Sequence, residues 1–221
     1  MKRLSLLVLV AAASVLGLNP VYAASATKGD AARGKTLVYT CAGCHGIPGY
    51  ENAYPNYRVP MIAGQKEAYI IKALNEYRSG DRRHPTMHAQ ATSLTDQNIA
   101  DIAAYLSSLA PPAVKLASSD KPPAKVMLCA SCHGPHGQAG AAAPATTPET
   151  PRLAGQYQNY LAQVLHEYKD GQRNNPIMKG MASSLTDADI HEVTTYFSSQ
   201  PSPLSSLKYH IQGASQMGAS N

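Results

Sequence analysis

Apolar residues recur at helical spacing in two stretches of the chain, one near its middle and one near its end. Each stretch follows a threonine and an aspartate, Thr95-Asp96 and Thr186-Asp187, which are favoured at the N-cap and in the first turn of a helix. The apolar faces consist of Ile99, Ile102, Ala103 and Leu106 in the first stretch and of Ile190, Val193, Thr194 and Phe197 in the second. We predict a core-facing α-helix in each.

The other elements of the first half are also predicted to be helices joined by loops. One helix begins near Asp30 and runs into Cys41, and another covers residues 65–79 and stops at Gly80, which suits a C-terminal cap. Residues 46–64 and 81–93 lack sustained periodicity, so we predict loops there. The fold class is therefore predicted to be all-α.

The chain contains two copies of one domain. The pentapeptide at residues 41–45 recurs at 129–133, an offset of 88, and a longer similarity follows at an offset of 91, because the second copy has three extra residues after its histidine. The matched pairs include Gln65/Gln156, Tyr69/Tyr160, Arg82/Arg173, Pro85/Pro176 and Met87/Met178. Before Cys129 only a short stub stands where the first copy has a full helix. We expect the second domain to borrow packing from the linker or from the first domain.

Each pentapeptide has the spacing of a covalent haem c site, with two cysteines three positions apart and a histidine directly after the second. The residues concerned are Cys41, Cys44 and His45 in the first copy and Cys129, Cys132 and His133 in the second. A redox dithiol leaves the repeated histidine unexplained, and a zinc site normally needs a second pair of ligands close by. A structural disulfide pair is the third alternative. We predict two covalently bound haem c groups, each tethered by its two cysteines with iron bound by its histidine.

The first 23 residues have the form of a secretory signal peptide, with a basic start, an apolar stretch from Leu4 to Leu18, and small residues near Ala23. An uncleaved membrane anchor is the alternative, but at about 1.5 Å per residue this stretch is shorter than the roughly 30 Å hydrocarbon core. We therefore expect a periplasmic protein. The predicted limits are 1–23 for the signal peptide, 24–110 and 124–203 for the two domains, 111–123 for a linker and 204–221 for a flexible tail.

The charge of the chain is moderate. The formal net charge of +5 falls to +3 when Lys2 and Arg3 leave with the signal peptide, because 17 basic side chains then face 14 acidic ones. Four ionised haem propionates bring the total to about −1 when both irons are ferrous. Since no run or stripe of Lys and Arg is present, we expect no nucleic-acid partner.

Methionines at matched positions are the predicted second axial ligands of the two irons. Met87 and Met178 lie in the predicted loops before the last helix of each copy, where a thioether can reach across the ring. Met181 is a competitor in the second copy, but it has no methionine counterpart in the first. His84 and His88 have no histidine counterparts in the second copy, so we predict that they are surface residues.

The chain resembles the class I cytochromes c, and specifically the di-haem cytochrome c4 family. The resemblance rests on residues 29–35 leading into the motif at 41–46, on residues 60–65, and on their counterparts at 129–134 and 151–156. It covers about residues 29–200. It implies two tandem class I cytochrome c domains, each wrapped around one covalently attached haem.

The same resemblance implies details of the two sites. In the family the ligand methionine stands eight positions before the Ser/Thr that caps the last helix, which selects Met87 and Met178 over Met181. A proline carbonyl in the loop usually accepts the Nδ1 proton of the ligand histidine, and Pro55 and Pro148 are the candidates here.

An iron closed by His and Met has no vacant position for a substrate, so we expect an electron carrier and not an enzyme. The resemblance implies a quinol-oxidising complex as the donor and a terminal oxidase as the acceptor, with peripheral membrane association only through such partners. Tyr54 and Tyr57, with the apolar loops around the attachment sites, are predicted to form a small docking surface for redox partners.

Two alternative functions stay open. The first is a cytochrome subunit of a dehydrogenase, resembling the flavocytochrome that oxidises sulfide, in which the C-terminal tail would contact the partner. The second is a di-haem enzyme such as a peroxidase or a thiosulfate-oxidising cytochrome. Such an enzyme needs an open or differently ligated iron, and the matched Met87 and Met178 argue against it.

Overall fold

The computed structural model describes residues 27–53, 56–111, 122–140, 143 and 145–208. Within these ranges the chain forms helices, and the β-type pairing is limited to isolated backbone bridges. The all-α fold class is therefore confirmed. The predicted signal peptide, most of the linker and the end of the tail lie outside the described residues. None of the helices in the described ranges is long and apolar enough to cross a membrane.

Nine helices are present in the described part of the chain. The first half contains α1 (Ala31–Leu37), α2 (Tyr39–His45), α3 (Glu67–Ser79), α4 (Pro85–Thr92) and α5 (Asp96–Ser108). The second half contains α6 (Ala124–His133), α7 (Gln158–Lys169), α8 (Pro176–Ser183) and α9 (Asp187–Ser198). The chain has no second-half counterpart of α1 in the described residues, as the short stub before Cys129 predicts.

The predicted helix ends are confirmed where the sequence carries a capping residue. The hydroxyl of Thr95 accepts from the Asn98 N–H and the Asn98 side chain accepts from the Thr95 N–H, which is a capping box. Thr186 and Asp189 form the same pair in the second half. Gly80 ends α3 in the left-handed region, at φ +88°.

The prediction of irregular loops before the last helix of each copy is wrong, because α4 and α8 are helices. Each starts with a proline at its first position, after an N-cap whose side chain accepts a backbone N–H. The caps are His84, whose Nδ1 lies 3.2 Å from the Met87 nitrogen, and Asn175, whose Oδ1 lies 3.1 Å from the Met178 nitrogen. Each helix buries only one alanine, so it has no apolar stripe by which periodicity could reveal it. His84 is thus a half-buried capping residue and not a surface residue, whereas His88 is exposed as predicted.

Each half has its own apolar core. The first core contains Val38, Ile70, Ile102 and Leu106, and the second contains Val126, Leu161, Val193 and Phe197. Both predicted helix stripes are therefore buried. In the first half α1 also packs closely on α5: a Cβ on Gly34 would lie only 2.0 Å from the Asp101 carbonyl oxygen.

The two domains face each other with approximate two-fold symmetry. The side chain of Gln65 donates to the Arg152 carbonyl (3.1 Å) and accepts from the Arg152 N–H (2.9 Å). The matched Gln156 makes the same two bonds with Met61, at 2.9 and 3.0 Å. Met61 and Arg152 are themselves matched positions. In each domain, therefore, a glutamine side-chain amide binds the backbone of the equivalent residue in the other domain.

Tyr57 lies in this interface, so the prediction of an exposed docking surface is wrong for this residue. Its side chain is only 8 % exposed. The ring packs against Tyr160 of the second domain, with centroids 5.9 Å apart, and against His84, at 6.4 Å. Tyr54 lies outside the described residues.

The end of the described chain packs on the first domain. Leu204 is 4 % exposed, and Leu207 is fully buried in the first core. The prediction of a flexible tail is therefore wrong for residues 204–208. Two leucines among serines and prolines give no periodic signal, and only the folded chain shows what covers them.

Asp101 joins α1 to α5 through buried hydrogen bonds. Its carboxylate accepts from Arg33 (Nε, 2.9 Å), from the Asp30 N–H (2.7 Å) and from the Gln97 side chain (2.8 Å). These contacts, led by the bond from Arg33, lower the pKa of Asp101 to about 2. The ordinary value is about 3.9. The stabilisation is therefore fully present above about pH 4 and is lost as the pH falls towards 2.

We expect Asp101→Asn to destabilise the first domain at pH 7, because the amide cannot accept all of these bonds, and to have little effect near pH 2. Thermal unfolding followed by circular dichroism across this pH range measures the difference. Glu192→Gln is the matched control, since this residue is the exposed counterpart of Asp101 in the second copy. A loss of the same size at pH 2 and pH 7 would contradict the assignment.

Candidate haem-binding sites

The four cysteines lie on the helices that carry the pentapeptides. Cys41 and Cys44 are on α2 and Cys129 and Cys132 are on α6, all partly exposed and none in a disulfide. Burial raises the pKa of the Cys41 and Cys129 thiols, which opposes the thiolate that a redox dithiol needs. In the described residues no group of three or more His, Cys, Asp or Glu side chains is placed to hold a metal ion. The redox, disulfide and zinc interpretations therefore find no support.

Each predicted ligand histidine is the last residue of its helix and points one ring nitrogen at a proline carbonyl. The Nδ1 atom of His45 lies 2.8 Å from the Pro60 oxygen, and Nδ1 of His133 lies 2.9 Å from the Pro151 oxygen. The proton must therefore be on Nδ1, which leaves Nε2 as a free electron pair for iron. Burial lowers the pKa of both imidazoles and so favours the neutral form that binds metal.

The prolines expected in this role were the wrong ones. Pro148 does not contact His133 in this way, and Pro55 lies outside the described residues. Pro60 and Pro151 are 91 positions apart, each three positions before a repeated Ala-Gly-Gln segment, so the duplication itself was a signal that could have identified them.

Met87 and Met178 occupy equivalent places in the two domains. Each is the third residue of its helix, is partly buried, and donates its backbone N–H to the N-cap. Met181 is one turn further along α8 and is 36 % exposed. No Cα of α2 lies within 8 Å of a Cα of α4, and the same holds for α6 and α8. In each domain the helix that ends in the histidine and the helix that carries the methionine are thus separated. A flat haem between them would require such a separation. Met87 and Met178 stay predicted ligands.

Two buried arginines meet between the domains. Arg82 is 5 % and Arg173 is 3 % exposed, and their backbones form an antiparallel bridge. Arg82 donates from Nη2 to the Tyr160 hydroxyl of the second domain (3.0 Å), and Arg173 donates from Nη2 to the Tyr69 hydroxyl of the first (2.9 Å). Each guanidinium also lies over a tyrosine ring of its own domain, Tyr77 and Tyr168 respectively.

Within the described part of the chain, this pair of cations lacks a counter-charge. Among the described residues neither Arg82 nor Arg173 has an ion pair with a carboxylate, and Nε and Nη1 of Arg173 are buried without any hydrogen-bond partner. A buried charge without a partner is costly. A haem carries two propionate carboxylates, which are the kind of acceptor that these nitrogens require. The residues present therefore fit the group that the pentapeptides predict.

Sequence reasoning did not assign a role to these arginines or to Tyr69 and Tyr160. All four appear as matched pairs in the duplication. Their recurrence at matched positions, inside segments that otherwise differ between the two copies, was the signal that could have identified them.

Comparison with known proteins agrees with these features. The cytochrome c family model matches the chain twice, at residues 31–110 and 124–201. Cytochrome c4 from Pseudomonas aeruginosa is 33 % identical over 183 residues, which is 76 % of this chain and 87 % of that protein. A thiosulfate dehydrogenase electron acceptor from Stutzerimonas stutzeri is 31 % identical over 71 % of this chain and 77 % of its own length.

A solved structure matches most of the chain. The crystal structure of reduced recombinant cytochrome c4 from Pseudomonas stutzeri matches with a TM-score of 0.61 and 30 % identity, covering 78 % of this chain and all of that one. With one attachment motif in each matched domain, the chain carries two covalently bound haem c groups. It therefore belongs to the cytochrome c family and, within it, to the di-haem cytochromes c4, which are electron-transfer proteins.

Proposed function

We propose that the protein is a periplasmic electron carrier whose two irons are each closed on both faces, by His45 and Met87 in the first domain and by His133 and Met178 in the second. A bound haem supplies reversible one-electron exchange. The observation that carries the proposal is the repeated site geometry: in both copies the histidine is held by a proline carbonyl and the methionine lies in the first turn of a capped helix. With no vacant iron position, electrons pass through the edge of the group and no substrate is bound.

The protein residues have separate tasks in this scheme. The cysteines of each motif tether the group, and Pro60 and Pro151 fix the tautomer and the ring direction of the histidines. Arg173 would bind a propionate at the interface, because two of its buried nitrogens lack a hydrogen-bond partner, and Arg82 is the matched buried cation beside it. Because the two arginines are paired between the domains, propionates that they held would share one electrostatic environment.

The proposed donor is a quinol-oxidising complex and the proposed acceptor is a terminal oxidase, with contact to the membrane only through these partners. The apolar leader sequence supports a periplasmic location.

A second candidate function is to accept electrons directly from a dehydrogenase, either as a separate protein or as its cytochrome subunit. The similarity to the thiosulfate dehydrogenase electron acceptor from Stutzerimonas stutzeri favours this candidate. Mixing the reduced dehydrogenase or the reduced quinol-oxidising complex with the oxidised protein and following the visible spectrum separates the two, since the true donor reduces it in a single fast phase.

We expect Met87→Ala and Met178→Ala each to remove about half of the weak near-infrared band that a thioether-bound ferric haem shows. The reason is that each variant loses one of two sulfur ligands. Near-infrared absorption of the oxidised protein measures it, with Met181→Ala as the control that leaves the band unchanged. A band that falls by half in Met181→Ala and not in Met178→Ala would show that the wrong sulfur was chosen.

We also expect that the reduced protein binds no carbon monoxide, because both irons are closed. Met87→Ala and Met178→Ala should then each bind one equivalent, detected by the shift of the Soret band. Ready binding at both irons of the unchanged protein would overturn the carrier proposal and favour a di-haem enzyme.

Arg173→Leu should lower the reduction potential of at least one haem. A buried cation near the iron stabilises the reduced, less positive state, and leucine removes that charge. Spectroelectrochemical titration measures the shift, and Arg58→Leu is the control because Arg58 is half-exposed on the surface. Unchanged potentials in Arg173→Leu would mean that this arginine does not serve the haems.

A further inference from the structure

The described end of the chain is bonded to the backbone around the first histidine. The Ala63 N–H donates to the Ser205 carbonyl (3.2 Å), and the Ser205 N–H donates back to the Ala63 carbonyl (3.0 Å). Two residues further on, the Leu207 N–H donates to the carbonyl of His45 (2.8 Å). The His45 carbonyl is at the end of α2, where no helical partner is available.

The second domain satisfies the same backbone groups with its own loop. The Ala154 N–H donates to the Gly137 carbonyl (3.0 Å), and the Ala139 N–H donates to the His133 carbonyl (2.7 Å). Ala154 is the counterpart of Ala63, and His133 is the counterpart of His45. In each domain the two residues that form these hydrogen bonds are two positions apart: 137 and 139 for the second domain, and 205 and 207 for the first.

The difference in loop length explains this exchange. The second copy has three more residues after its histidine than the first, and Gly137 and Ala139 lie in that longer loop. In the shorter loop of the first copy, the residues at the same distances from the histidine have other partners: the Gly49 N–H donates to the Tyr157 hydroxyl, and Glu51 forms a backbone bridge with Arg58. We infer that residues 205–207, at the far end of the chain, complete the first haem site by replacing the loop segment that the second domain supplies locally.

The packing of the segment supports this inference. Leu207 is fully buried among Val38, Ile70 and Ile102 of the first core. A Cβ on Gly46 would lie 2.7 Å from the Leu207 carbonyl oxygen, so a side chain at position 46 would block its approach. A Cβ on Gly64 would likewise lie 2.2 Å from the Pro203 carbonyl oxygen. The first domain thus has glycines at two places where the segment passes too close for a side chain.

Leu207 and Ser205 are positioning residues for His45. One bond holds the backbone of His45, and the others hold Ala63, three residues after the proline that accepts the His45 Nδ1 proton. Loss of the segment should therefore loosen the histidine from both sides, with no direct change at His133. This inference rests on the proposed function, because it takes His45 as the iron ligand.

Two shortened chains test it. One ends at Lys208 and keeps the segment, and the other ends at Pro203 and lacks it. Each is made in two backgrounds: in Met178→Ala the remaining near-infrared band reports the first haem, and in Met87→Ala it reports the second. We expect the chain ending at Pro203 to lose the first-haem band at a lower temperature, with the second-haem band unchanged. The chain ending at Lys208 should behave as the full chain in both backgrounds.

A point variant covers the case in which the shorter chain does not fold. Leu207→Ala should lower the temperature at which the first-haem band is lost, and Lys208→Ala, its exposed neighbour, should not. Equal shifts of both bands, or no shift of either, would overturn the inference while the proposed function stands. If the full-length Met87→Ala and Met178→Ala proteins instead keep the whole near-infrared band, the ligand assignment itself fails. The full-length proteins show this result, so it is distinguished from a failure of the inference about the shortened chains.

Discussion

Each candidate haem site depends on one hydrogen bond, from the predicted ligand histidine to a proline carbonyl in the following loop. An imidazole can bind iron only through the nitrogen that lacks a proton. By accepting from Nδ1, Pro60 and Pro151 leave Nε2 of His45 and His133 for the metal and fix the direction of each ring. Because His133 is buried and His45 is partly buried, water has limited access to compete for this bond. The loop that carries the proline must therefore be held as firmly as the histidine itself.

The two domains hold these loops for each other. Gln156 of the second domain binds both backbone groups of Met61, directly after Pro60, and Gln65 of the first binds both backbone groups of Arg152, directly after Pro151. A glutamine side chain offers one donor and one acceptor group, so it pairs with an extended residue as a neighbouring strand would. The interface thus supports both candidate sites, and the buried Arg82 and Arg173 lie beside each other between the domains. This explains why the pairing residues recur in both copies while many surface positions do not.

The sequence predicted those parts of the fold whose signals are local. Thr95 and Thr186 mark helix starts because a capping box needs only four consecutive residues, and the stripe after each appears because one face of the helix is buried. Helices α4 and α8 were missed because they bury little and are specified by a cap and a proline instead. The histidine partners were assigned to Pro55 and Pro148 because spacing alone does not tell which carbonyl a folded loop presents. The contacts of Tyr57 and Leu207 join residues far apart in the chain, and no local pattern encodes them.

The duplicated sites differ in how their support is assembled. The carbonyl of His133 is satisfied by Ala139, six residues away, so this bond forms as soon as the second loop closes. The carbonyl of His45 is satisfied by Leu207, which follows the whole of the second domain in the chain. Closing so long a segment costs more chain entropy than closing a short loop, and the reciprocal glutamine bonds between the domains reduce that cost by bringing the end of the chain near the first core. Two sites with matched ligand residues therefore depend on different parts of the molecule: the second on its own loop, and the first on the correct docking of the whole chain.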